Sequence, residues 1–169
     1  MILDELEDLF EDLDVEYPST AQSYRMYGIF LTDFIKNPML IDGKRLKVNE
    51  NSSKHPLFKG KPEGFVHLVT RESKYSGKRN FDNQRANRIH WVKPLLENAS
   101  NFNVKYFERI NDKGFNQRYY WLKKKDFLVI LREIVPDVLL VTSFCVDEME
   151  KNKYQRWFDD YNKNRNKKA

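Results

Sequence analysis

Between residues 104 and 145 four runs of aromatic and β-branched residues follow one another with almost nothing between them. They read YFERI, FNQRYYWLK, DFLVILREI and VLLVTSFCV, separated by NDKG, a short basic link and VPD. Such runs are strand formers. A parallel crossover needs a dozen or more residues, so links this short force antiparallel neighbours. Residues 104–145 are therefore expected to form a four-stranded meander. DFLVILREI and VLLVTSFC are nearly all apolar and are expected to be central or covered by helices.

The first hundred residues are patterned differently. Ile2, Leu3, Leu6, Leu9, Phe10 and Leu13 recur at spacings of three and four, which predicts a first helix over residues 2–14. After Pro18, Ser19 or Thr20 can cap a second helix, whose buried face is Tyr27, Phe30, Leu31, Phe34 and Ile35. Asn37-Pro38 ends it. MLIDGKRLKV reads as a small hairpin turning at Asp42-Gly43. FVHLV is a strand or a single helical turn; KYSGKRN is a polar loop. A helix from about Asp82 to Asn98 follows, kinked or split by Pro94, with Ala86, Ile89, Val92 or Lys93, and Leu96 as its stripe. A last helix from Val146 to about Lys163 carries Met149, Tyr154, Trp157, Phe158 and Tyr161. The expected fold is α+β: N-terminal helices packed on the four-stranded antiparallel β-meander, followed by a C-terminal helix. Residues 1–37 form a helical segment, 38–163 the main domain and 164–169 a frayed basic tail, all in one structural unit.

Charge is divided unevenly along the chain. Residues 1–16 hold eight carboxylates and no Lys or Arg, leaving 30 basic and 17 acidic groups in the other 153 residues, a balance of +13. A basic body suits a polyanionic partner such as RNA. The acidic segment either docks through its leucines or lies across the basic body as an internal decoy. The single cysteine, Cys145, excludes an internal disulfide, and a reducing compartment is expected. With no apolar run near the ~20 residues needed to cross a bilayer, the expectation is a cytoplasmic protein with no membrane partner. Walker, dinucleotide-glycine, Cys-x-x-Cys and His-Glu-x-x-His motifs are absent, which favours chemistry without a cofactor or a dedicated metal.

RNA can be cleaved without a metal when a base takes the 2′-hydroxyl proton and cations meet the charge on the phosphoryl oxygens. Histidine and arginine suit those tasks. In GFVHLVTRE, His67 and Arg71 share a side whether the segment is helical or extended. In QRANRIHWVKP, Arg85, Arg88 and Trp91 lie roughly along one helix side. In QRYYWLKKK, Arg118 and Tyr120 face one way on a strand, and Tyr119 and Trp121 the other. In VTSF, Thr142 or Ser143 faces a site or binds backbone. Each feature also has a structural explanation: a packed histidine, exposed arginines on an amphipathic helix, or ordinary aromatic sheet packing.

GFVHLVTRE, RANRIHW, RYYW, LVILRE and LLVTSF, in that order before a C-terminal helix, resemble the phage- and prophage-associated nucleases of the barnase–EndoU–colicin–RelE superfamily. The resemblance spans roughly Lys54 to Tyr154. It implies two helices on a four-stranded antiparallel sheet, and endoribonuclease activity without a metal, giving 2′,3′-cyclic phosphate ends. Members often act as toxins or phage effectors, some on tRNA, which implies an antitoxin or immunity partner. Carried over, the family's site falls on His67, Arg71, Arg88, Arg118 and Thr142, with Trp91, Tyr120 and Arg85 contacting RNA. The general acid is left open: a tyrosine, a lysine or Arg118. The alternatives are an RNA-binding module of the same fold without turnover, or a protein-interaction effector.

Overall fold

A computed structural model describes residues 2–168. Its centre is a six-stranded, curled, mixed sheet in the order β1-β2-β8-β7-β6-β5. The meander is β5 (Val104–Ile110), β6 (Asn116–Leu122), β7 (Phe127–Ile134) and β8 (Asp137–Cys145), each antiparallel to the next. It is not the whole sheet, so the four-stranded expectation needs correction. β1 (Leu40–Ile41) and β2 (Lys44–Lys47) add a hairpin outside β8. The hairpin turns at Asp42 (φ 51) and Gly43 (φ 78), the positive-φ pair of a tight primed turn. β2 pairs with β8 in parallel, and only at Val138 and Leu139. The rest of β8 therefore has no strand beside it on that edge.

Both faces of the sheet are covered, as the apolar runs of β7 and β8 require. On one face lies the main core, with Phe30, Phe65, Ile89, Val129 and Leu131 at its heart. The helices over it are α1 (Thr20–Phe30), α2 (Glu63–Val69), α3 (Asn83–Ala86) and α4 (Val92–Glu97). The other face stacks Phe107 on Tyr119 and is closed by Tyr154 and Trp157 of α5 (Glu148–Lys168).

Local chemistry explains most of the boundaries. Ser19 caps α1 by accepting from the Gln22 amide, and the Gln22 side chain accepts from the Ser19 amide in return. α1 runs on as a π-helix, Leu31–Lys36, before Pro38. FVHLV resolves as helix, with Thr70–Glu72 continuing as β3. A Cβ on Gly64 would lie 3.1 Å from the backbone N and O of Asn49, so any larger residue would push the first turn of α2 away from that segment by a few tenths of an ångström. The polar loop KYSGKRN instead closes a second hairpin, β3 with β4 (Arg79–Phe81). The helix expected from Asp82 to Asn98 is divided earlier than Pro94. It breaks at Asn87 and Arg88, passes through a 3₁₀ turn (Ile89–Trp91), and resumes as α4. Pro94 is the third residue of α4, where its missing N–H costs nothing.

The N-terminal segment departs most from its pattern. Only Ile2–Glu5 is helical, as one 3₁₀ turn. A helix over 2–14 would place Asp4 with Asp8, Glu7 with Glu11, and Asp8 with Asp12 one turn apart, and such like-charge pairs are unfavourable. The body takes its backbone groups instead. The Leu9 amide donates to Asn87 O (3.0 Å) and the Phe10 amide to Asn87 Oδ1 (2.8 Å). Trp91 Nε1 donates to Glu7 O and Lys125 Nζ to Leu6 O. Leu3, Leu6 and Leu13 are still buried, each worth roughly 2 kcal/mol as apolar area removed from water. The stripe thus docks the segment without a helix, and the segment is part of the core. At the other end the last helix is longer than expected, since α5 continues past Lys163 through Lys168. Met149, which the helix was expected to carry with its aromatic residues, is 94% exposed.

Candidate functional site

Beyond Leu139 the unpaired edge of β8 is met by α2, α3 and the β3–β4 hairpin, and an open cleft of about 560 Å³ lies there. A bulge in β8 shapes one wall. Ile130 pairs with Thr142 and Leu131 with Leu140, leaving Val141 without a partner. One extra residue reverses which face the next side chains take. Leu140 stays in the helix-covered core, while Thr142 and Phe144 turn to the other face and line the cleft. Regular pleating would have put all three together. Thr142 Oγ1 then donates to His67 O at 3.1 Å and ties β8 to α2.

Three of the cleft's cations come from α3, β4 and β3. Arg85, on α3, points its Nη1 at Thr70 O (2.9 Å), Thr142 Oγ1 (3.1 Å) and His67 O (3.4 Å). Arg79, on β4, donates from Nε to Thr70 Oγ1 (2.9 Å) and from Nη2 to Thr70 O (3.0 Å). Two guanidinium groups thus converge on one carbonyl oxygen. Asp82, the carboxylate paired with Arg85, stands 3.7 Å away and is occupied capping α3. Burial pulls the Arg85 guanidinium down to about 10, with Arg79 and Arg71 pushing the same way and Asp82 opposing. Burial lowers Arg79 as well, against Glu72 and Glu63. Arg71, on β3, is exposed and lies 3.6 Å from Asp147.

His67 sits in the last turn of α2, half-buried, with Nε2 3.6 Å from Glu63. Burial first, then the Arg79 charge, hold its pKa below 6.5, and Glu63 only partly offsets them. Both effects favour its neutral form at pH 7. The other two histidines are outside the cleft lining. His55 accepts from the Leu57 amide at Nδ1, so Nε2 is its donor, and it donates to Arg79 O at 2.8 Å. This pins the strand that carries Arg79. His90 packs beside Trp91 near the N-terminal segment.

Of the residues singled out from sequence, His67, Arg71, Arg85 and Thr142 come together in this cleft. The other four do not. Arg88 lies on the rim, donating to Cys145 Sγ (3.1 Å) and Gln84 O, and 3.6 Å from Asp8. Trp91, assigned to RNA, is 4% exposed and packs on Phe127. Tyr120 is 3% exposed and packs on Tyr106. Arg118 shares the expected strand face with Tyr120, but that face is the core. Arg118 is held there by Glu133 and by Asp42 at 2.8 Å. Its separation from the cleft removes it as the general acid for this site. The reason is common to all three: their faces were read as open, and helices or the β1–β2 hairpin cover them.

Arg79, Arg132 and Lys113 were missed, although they also line the cleft. Arg79 was hidden in a segment read as loop. Gly77 (φ 68) between Thr70 and Phe81 was the available hint of a hairpin. Cys145 is in the lining too, but burial pushes its thiol up, against Arg88. Among the described residues no three His, Cys, Asp or Glu side chains gather so as to hold a metal ion, and no helix is long and apolar enough to cross a membrane. Comparison with family models, with curated proteins and with solved structures gives no match.

Proposed function

We propose that the cleft binds an RNA phosphodiester and cleaves it without a metal, as an endoribonuclease acting on tRNA or other single-stranded RNA. The observation that supports this most is the convergence of Arg79 and Arg85 on the Thr70 carbonyl beside a neutral, solvent-reaching His67. Paired guanidinium groups with no carboxylate in hydrogen-bond range attract an anion such as phosphate. An imidazole that is unprotonated at pH 7 can take a proton from the 2′-hydroxyl. The 2′-oxygen then forms its bond to phosphorus and the P–O5′ bond breaks, leaving a 2′,3′-cyclic phosphate. The guanidinium groups meet the charge that builds on the non-bridging oxygens. The departing O5′ takes its proton from water, which the open cleft admits, and the hydroxide left takes the proton held by His67, restoring the neutral imidazole. A cell-directed role as toxin or phage effector, with an antitoxin or immunity partner covering the cleft, belongs to this proposal.

End-labelled tRNA and single-stranded RNA incubated with the protein and EDTA test it. Cleavage leaving cyclic phosphate is expected, with a loss of 10²-fold or more in His67→Ala, the range for removing a general base. Intact RNA, or equal cleavage by His67→Ala, would overturn the catalytic reading. Salt-sensitive RNA binding without cleavage would select the binding module instead.

A further inference from the structure

The cleft does not end at Thr142. Its lining continues to Arg132 on β7 and Lys113 in the β5–β6 turn. Ile130 pairs with Thr142, and Arg132 follows Ile130 by two residues on the same face of β7. One strand over and two residues along places its Cα about 8 Å from that of Thr142. That step suits one extended nucleotide. Two cations line this far end and one aromatic ring stands beside it. Arg132 makes no ion pair and no side-chain hydrogen bond among the described residues, and its Nε is buried without a partner. Lys113 is exposed and likewise has no carboxylate within ion-pair distance. Phe115, two residues on and outside the lining, is 43% exposed, with the Arg132 guanidinium 4.8 Å from its ring centroid.

We infer that this end of the cleft is a separate subsite for single-stranded RNA. One base stacks on the free side of Phe115, and Arg132 and Lys113 hold the adjoining phosphate. The inference rests on the reading of the cleft as an RNA site. An exposed ring backed by a guanidinium, with a free cation beside it, is the combination that holds unpaired bases without reading their sequence. A duplex does not suit it, because bases already stacked and paired in a helix cannot lie on a separate ring. The substrate class is therefore an extended single strand or loop longer than a dinucleotide. Phe115 acts by positioning, since the reacting phosphate would sit at Arg79 and Arg85.

The experiment compares fluorescent hexanucleotide and dinucleotide RNAs, by anisotropy for affinity and by product analysis for cleavage. Wild type, Phe115→Ala, Phe115→Trp, Lys113→Gln and Arg85→Gln are used. Loss of one base–aromatic stack is expected to weaken hexamer binding by about ten-fold in Phe115→Ala. Phe115→Trp should restore it, and dinucleotide handling should not change. Lys113→Gln should reduce the salt slope of hexamer binding by about one. If Arg85→Gln weakens the hexamer and Phe115→Ala does not, the subsite is overturned while the cleft reading stands. Phe115 and the neighbouring exposed Ile110 would then belong to a protein contact. No RNA binding by wild type would overturn the cleft reading itself.

Discussion

Arg85 and Arg118 are both largely buried arginines, yet their surroundings give them opposite uses. Arg118 is 7% exposed and closes a network in which Glu133 also accepts from Lys44 at 2.8 Å and Asp42 pairs with its Nη1. Burial lowers its pKa, but the hydrogen bonds to Tyr120 and Glu133 outweigh this and raise it overall. Its charge is neutralised within the fold. Arg85 meets carbonyls and a hydroxyl, with Arg79 converging on the same oxygen. Its charge is oriented, and its paired carboxylate, Asp82, stands 3.7 Å away, beyond hydrogen-bond range. A buried cation of the first kind holds a hairpin onto a sheet; one of the second kind waits for an anion. The comparison teaches that burial alone does not separate structure from function, whereas the nearest counter-charge does.

Substitutions at the two arginines should therefore separate activity from stability. Arg85→Gln is expected to lower RNA cleavage by 10²–10³-fold, the range for losing one preorganised charge-stabilising donor, while urea unfolding shifts little. Arg118→Ala should do the reverse. Removing one partner of a buried pair costs about 3 kcal/mol, visible in the urea midpoint, while cleavage per folded molecule is unchanged. If Arg118→Ala abolished cleavage in folded protein, the division between the two arginines would fail. Asp42→Asn sharpens the point, because the Asp42 side chain is 78% exposed and solvent weakens its pairing. Its cost should be under about 1 kcal/mol.

Acidity gives the smallest and most gradual effect. Both His67 and His90 have pKa values below 6.5 in the fold, first because of burial. The unfolded chain therefore binds protons that the folded chain resists. Stability falls as pH drops below about 6.5 toward the folded values, and is unaffected above that window. Cleavage that depends on neutral His67 should likewise be flat from pH 7 to 8 and decline only below 6.5. A cleavage optimum near pH 5 would show that His67 works protonated, as an acid. Stability and rate profiles of His67→Gln separate the two contributions.

Much of the fold was legible because it depends on local rules. Short links force antiparallel neighbours, Asp42-Gly43 turns, Ser19 caps, and nearly continuous apolar strands demand cover on both faces. Half of the site was legible for the same reason. His67 and Arg71 lie four residues apart, and Arg85 lies on a short helix just after its Asp82 cap. The N-terminal stripe, by contrast, misled at the level of helix while being right about burial. Leucine spacing records which side chains are wanted inside, but not whether backbone amides bond to each other or to Asn87.

The sequence by itself determined the meander, the caps and turns, and the charge division between residues 1–16 and the rest. These follow from spacing, backbone stereochemistry and the count of ionised groups, none of which needs a distant partner. Tertiary structure decided the parallel pairing of β2 with β8, the reversal of faces at Val141, and how closely each arginine meets a carboxylate. Each of those depends on residues far apart in the chain, and whether a guanidinium meets a carboxylate or open water is settled only when they pack.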